Sequence, residues 1–130
     1  MLILTIRTDK PESEIGLYKD DTQLAYEVWE AHRLLAETIH VKITDLLEGV
    51  HKELSDIDGI VLYKGPGSFT GLRIGASVAD ALAYSLCIPI VGVTGDMWQI
   101  EGVQRLQKGN DDKIVALEYG SPVYTTAQKK

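Results

Sequence analysis

Tyr63-Lys64-Gly65-Pro66-Gly67-Ser68-Phe69-Thr70-Gly71-Leu72-Arg73-Ile74-Gly75 is the segment around which the 130 residues are organised. The apolar, β-branched run Gly59 to Tyr63 precedes it, and an apolar pattern of helical period follows from Leu72 to Leu86, so the glycines fall at a strand-to-helix junction. Gly65 and Gly67 admit a left-handed backbone or a close neighbour, Pro66 stiffens the turn, and Ser68 or Thr70 can cap the helix. Three readings follow. Unpaired amides at a helix N-terminus attract an anion, but the spacing here is G-x-G-x-x-x-G and lacks the Gly-Lys-Ser/Thr of a phosphate-binding loop. A nucleophile elbow on Ser68 needs glycine where Pro66 and Thr70 stand. The third reading is structural: small residues let a helix lie close on a sheet.

Length and composition narrow the field. A chain of 130 residues, 45% hydrophobic and 25% charged, has the makings of one ordinary globular domain. A net charge of -6 argues against holding nucleic acid unaided, because phosphate contacts need clustered Lys and Arg. Cys87 is the single cysteine, so no internal disulfide can form, and its apolar surroundings suggest a buried thiol in a reducing cytoplasm. Met1 to Ile6 lacks the basic lead of a signal peptide, and no run has the length of a membrane span.

In order, Leu2 to Thr8, Ile15 to Lys19 and Gln23 to Trp29 read as strands of a meander, with turns at Asp9 to Ser13 and Asp20-Asp21. Ala31 to Val50 reads as a helix with Leu35, Ile39, Ile43, Leu46, Leu47 and Val50 on one face and Gly49 as a cap. After Gly59 to Tyr63 and the loop, the helix from Gly71 to Leu86 is apolar over an arc of roughly 220°, twice the stripe that a sheet covers. The surplus suggests contact with the preceding helix and with another chain, small Gly75, Ala76, Ala79 and Ala83 permitting close approach. Pro89 to Val93 reads as a buried strand, Met97 to Gln107 as a short helix, Lys113 to Glu118 as a last strand, and residues 121–130 as a polar tail.

Lys64-Gly65-Pro66-Gly67-Ser68-Phe69-Thr70-Gly71-Leu72-Arg73-Ile74-Gly75 resembles the signature of the TsaB (YeaZ) family, the non-catalytic subunit of the bacterial machinery that makes threonylcarbamoyladenosine in tRNA. The resemblance continues through Asp56-Ile57-Asp58, Ile88-Pro89-Ile90-Val91-Gly92-Val93 and Ser121-Pro122-Val123-Tyr124. It implies an α/β fold: a single actin-like ATPase or RNase-H-like lobe over residues 1–120, with an antiparallel β-meander and then βαβαβ in one mixed sheet flanked by helices. Compared with full-length members, the second lobe is expected to be missing and residues 121–130 to form a C-terminal tail.

The implied role is that of a scaffold pairing with and activating a TsaD-like transferase in the cytoplasm, with a TsaE-like ATPase as a further partner and tRNA met only through the complex. A homodimer through the same helices is expected when the chain is alone, and no membrane association. The expected partner interface is Leu35, Ile39, Leu72, Arg73, Gly75, Ala76, Ala79, Ala83 and Tyr84, beside the signature loop Gly65, Pro66, Gly67, Ser68, Phe69, Thr70 and Gly71. No catalytic, cofactor or metal residues are expected. In the wider superfamily the first hairpin carries an aspartate that works on nucleotide phosphates through a metal, and here Arg7 holds that position. A guanidinium cannot ligate a cation. Asp9, two residues on, is left either as a displaced ligand or as a turn former. His32 and His40 lie eight apart, about 12 Å along a helix, too far to share one zinc. The alternative is a small ATP-binding or ATP-hydrolysing actin-like domain using the glycine loop.

Overall fold

The computed structural model describes residues 1–67 and 69–117. Five strands form one sheet in the order β3-β2-β1-β4-β5. β1 (Leu2–Arg7), β2 (Glu12–Lys19) and β3 (Thr22–Glu30) are the expected meander, antiparallel throughout, while β4 (Gly59–Tyr63) and β5 (Ile90–Val93) lie parallel to β1. The meander strands turn on short polar connections; Asp20 takes φ 55°, a conformation that Asp tolerates better than most residues. β4 and β5 are buried along their whole length, as parallel strands covered on both faces must be.

Side-chain alternation divides the sheet residues between two cores. On one face Leu2, Leu4, Ile6, Ile15, Leu17, Ile60, Leu62 and Ile90 pack under α1 (Leu35–Gly49) and α2 (Phe69–Leu86). On the other, Ile3, Tyr18, Val61, Tyr63, Val91 and Val93 pack under α3 (Trp98–Gln107). α1 buries the stripe read from its spacing, Leu35, Ile39, Ile43, Leu46 and Leu47. The expected helix from Ala31 is broken at its start, where His32–Leu34 form a 3-10 turn. Its end also differs: Gly49 is the last helical residue, and the left-handed position falls on His51 (φ 61°), whose N–H donates to Glu48 O while that of Lys52 donates to Leu47 O.

Two further expectations are corrected. Cys87 is exposed: α2 stops at Leu86, and Cys87 takes φ 57°, which carries its side chain outward. Lys113 to Leu117 form no strand, and Glu118 lies outside the described residues, as do the segment Ser121 to Tyr124 and the rest of the tail. The physical reason lies at the β5 border. Ile90 N–H donates to the Asp111 carboxylate at 3.2 Å, Gly92 N–H to Asp112 at 2.8 Å, and Gly92 O accepts from the Arg105 guanidinium at 3.0 Å. Ile90 O accepts from Asp112 N–H at 2.7 Å, so one main-chain bond and three side-chain bonds take the places that a sixth strand would fill.

Burial alone would raise the Asp112 carboxyl, but hydrogen bonds from Arg105 and Gly92 N–H hold it below the ordinary carboxylate range. A group depressed in the folded state contributes stability above its unfolded pKa and loses it as pH falls through the folded value. Asp112→Asn is therefore expected to cost about 1 kcal/mol at neutral pH. In urea titrations the difference from the parent chain should shrink steadily below about pH 4; a difference independent of pH would contradict this account.

Candidate functional site

The glycine loop closes against the β1–β2 hairpin, and the residues at that junction form a buried polar cluster. Arg7 ends β1. Its Nε donates to Asp9 Oδ1 at 2.8 Å and its Nη2 to Oδ2 at 3.2 Å, a two-pronged pair. The guanidinium carbon lies 3.9 Å from the centroid of the Tyr63 ring at the end of β4, and Tyr63 meets Trp98 of α3 edge-on at 5.9 Å. The Asp9 side chain is only 7% exposed and that of Arg7 19%. The bond to Asp9 raises the Arg7 guanidinium above its ordinary value, although burial alone would lower it. Both carboxylate oxygens of Asp9 are thus engaged by a cation of the chain itself.

The loop glycines are accounted for by the same hairpin. Gly65 adopts φ 111°, a region that side chains disfavour, next to a cis Gly65–Pro66 bond. A Cβ on Gly67 would stand 2.5 Å from Asp9 Cβ, and one on Gly75 would stand 2.1 Å from Thr8 Oγ1. Thr8 is fully buried, and its hydroxyl donates to Gly71 O at 2.8 Å. Close packing of loop and helix on the hairpin therefore explains Gly67 and Gly75 without any ligand. Ser68 lies outside the described residues.

Beside the loop a cleft of about 430 Å³ remains, lined by Lys10, Ser13, Arg33, Leu35, Thr70 and Ile74 among others. Ser13 is fully buried and its hydroxyl has no hydrogen-bond partner. His40 is exposed on α1, and no group of three or more His, Cys, Asp or Glu among the described residues could gather on a metal.

The structure redistributes the residues expected at a partner surface. Leu35, Ile39, Leu72, Gly75, Ala76, Ala79 and Ala83 are buried in the chain's own core, and only Arg73 and Tyr84 are exposed, Tyr84 to 87%. The sequence argument gave the sheet an apolar stripe but misplaced its centre: the small residues lie against the strands, which they let α2 approach closely. The apolar surplus faces the other way. Ile74, Val78 and Leu82 are half-buried beside α1, and Ala81 is exposed between them and Tyr84. Sequence could have flagged this face by the i, i+4, i+8 spacing of its three large aliphatic residues.

A five-stranded mixed sheet of this order, with helices on both faces and a hairpin clasped by the first glycine loop, defines a single lobe of the actin-like and RNase-H-like class. The chain belongs to the family whose model, described as "TsaD: tRNA N6-adenosine threonylcarbamoyltransferase", matches residues 29–111, and TsaB (YeaZ) proteins are among the relatives it resembles. It is 36% identical over 94 residues to the TsaB protein of Bacillus subtilis (strain 168), covering 72% of this chain and 41% of that one. To the Escherichia coli (strain K12) TsaB protein it is 33% identical, covering 81% and 45%. A tRNA N6-adenosine threonylcarbamoyltransferase of Geotalea daltonii is 40% identical over 81 residues, 62% of this chain and 23% of that one. The chain thus spans less than half the length of these relatives.

Among solved structures, YeaZ from Pseudomonas aeruginosa superposes with a TM-score of 0.68 at 28% identity, over 83% of this chain and 50% of that one. Thermus thermophilus RuvC, at a TM-score of 0.50 and 12% identity over 72% of this chain and 64% of that one, shares the fold alone.

Proposed function

We propose that this chain is a non-catalytic subunit in the synthesis of tRNA threonylcarbamoyladenosine, pairing with a TsaD-like transferase and supporting its activity in the cytoplasm. The observation that carries this reading is the Arg7–Asp9 pair stacked on Tyr63. It fills the strand end where chemistry on a nucleotide phosphate would need a carboxylate open to a metal, and a fixed positive charge there repels a divalent ion. Curated relatives named as TsaB proteins support the pathway. The outer face of α2, with Ile74, Val78, Ala81, Leu82, Arg73 and Tyr84, is the surface offered to the transferase. A TsaE-like ATPase joins the assembly, and tRNA is reached only through it, in keeping with the acidic net charge of -6.

Co-purification with a TsaD-like transferase, followed by transferase assays with and without the chain, tests both halves. Ala81→Glu and Tyr84→Ala should each weaken pairing at least about tenfold while leaving the thermal midpoint unchanged, since a charge desolvated at a helix contact is disfavoured and an exposed aromatic is a common anchor. Pairing that survives both substitutions removes α2 from the interface. Transferase activity indifferent to the chain removes the activating role.

A second reading, a small ATP-binding domain, is favoured by one observation: Lys10 and Arg33 line the 430 Å³ cleft next to the start of α2. Calorimetry with ATP and magnesium decides it, micromolar binding by the isolated chain favouring this reading.

A further inference from the structure

We infer that the half of the sheet left open beside α3 is a docking surface for a partner chain that presents an amphipathic helix flanked by lysine or arginine. Strands lie about 4.8 Å apart and packed helices about 10 Å, so a face of five strands has room for two helices side by side. α1 and α2 fill one face. On the other, α3 sets Trp98, Val103 and Leu106 over β4 and β5, and among the described residues no second helix lies beside it over β1 to β3.

Alternation shows what this half presents. Glu27 and Trp29 turn toward α1, where Trp29 Nε1 donates to Thr38 Oγ1 at 3.0 Å and Lys42 Nζ to Glu27 at 2.8 Å. Tyr26 and Val28 therefore face the α3 side, and they are 43% and 45% exposed. The flank of α3 that looks toward them is apolar as well. Ile100, 49% exposed, lines a cavity of about 280 Å³ with Tyr18 of β2, and Met97, 61% exposed, stands three residues before it. The outward face of a solvated antiparallel sheet is ordinarily polar, whereas here four large apolar side chains on one side are open to solvent.

The chemistry of the occupant follows from the charges. Tyr26 OH donates to Glu14 Oε1 at 2.6 Å, which holds an aromatic ring and a carboxylate side by side. A lysine or arginine that meets this pair gains an ion pair and a contact with the ring. Glu12 lies two residues from Glu14 on the same side, and Asp21 lines the cavity. Against these carboxylates β1 to β3 place one cation here, Arg7, which Asp9 already engages. Lys19, opposite Leu2, belongs to the other face. A basic amphipathic helix suits both the apolar surface and its acidic border. Nucleic acid is repelled, and a second copy of this chain, with its net charge of -6, is disfavoured. The surface is separate from the proposed transferase contact, because α2 lies on the opposite face.

A peptide of about 18 residues, leucine at helical spacing and lysine elsewhere, is the probe, and its glutamate counterpart the control. In amide spectra of the full 130-residue chain at about 50 mM salt, the lysine peptide should shift Glu14, Gly16, Tyr26, Val28 and Ile100 with a Kd below about 100 μM. The glutamate peptide should leave them in place. Tyr26→Lys and Val28→Lys should each weaken binding at least about tenfold without lowering the thermal midpoint, Val28→Lys carrying the test should loss of the tyrosine disturb folding. Ala81→Lys, the same charge on exposed α2, should change it less than about twofold. Absence of binding overturns the proposal. So do shifts centred on α2, equal binding of the two peptides, or equal losses in the Ala81 and Val28 variants, all of which mean general attraction to an acidic protein. The same amides shifting when the chain is concentrated without peptide would assign the face to a second copy and overturn it too. Transferase pairing should survive Tyr26→Lys; its loss would place this face in that contact and remove the separate partner.

Discussion

Arg7→Ala is expected to destabilise the domain by about 3–5 kcal/mol, because it strands a buried carboxylate instead of merely deleting a surface charge. The Asp9 side chain is 7% exposed and has both oxygens engaged by the guanidinium. With the partner gone, the Asp9 carboxylate is left uncompensated in a poorly solvated site, which is unfavourable. Against a total stability of about 5–15 kcal/mol for a domain of this size, the loss should appear as a large fall in the urea midpoint. Arg7→Ala combined with Asp9→Ala should recover most of it, since removing both charges removes the uncompensated one. Arg7→Lys should fall between, keeping a charge but losing the planar fork and the stack on Tyr63. A single Arg7→Ala variant within about 1 kcal/mol of the parent chain would show that water reaches Asp9.

Ala79→Glu is expected to unfold the chain. The sequence argument placed Ala79 among the residues of the expected partner surface. In the structure Ala79 is 0% exposed within the core under α2. Inserting a glutamate there both overpacks a close helix-to-sheet contact and buries a charge with nothing to offset it, penalties of several kcal/mol in sum. Ala81→Glu, two residues on and exposed, is the matched control and should leave the far-ultraviolet circular dichroism and melting temperature unchanged. A folded Ala79→Glu chain that has lost only its partner would restore the original placement.

The comparison of these two alanines shows where sequence reasoning held and where it failed. The meander strands, the strand-loop-helix junction and the apolar stripe of α1 were legible because each rests on local period and turn chemistry: Gly59 to Tyr63 is an apolar β-branched run, and Leu35, Ile39, Ile43 and Leu46 recur at helical spacing. The single mixed sheet, by contrast, was expected only from the family resemblance. α2 was harder. A helix apolar over most of its circumference has no pattern that fixes its rotation; that is decided by Thr8, against which only a glycine at position 75 fits. The Arg7–Asp9–Tyr63 cluster was half legible. Arg7 stood out as a departure from the superfamily's carboxylate, but its stacking on Tyr63 depends on β1 and β4 being neighbours. The expected last strand failed because Lys113 to Leu117 has the apolar content of a strand, while Asp111 and Asp112 take the hydrogen bonds that it would have made.

Those two aspartates, with Arg105, have a further consequence for assembly. A sheet with two open borders can be extended from either end, copy upon copy, until it becomes a fibre. Here one border is plugged by carboxylates and a guanidinium that leave no row of amides for a newcomer. Extension of the sheet by strand addition is therefore blocked on the β5 side.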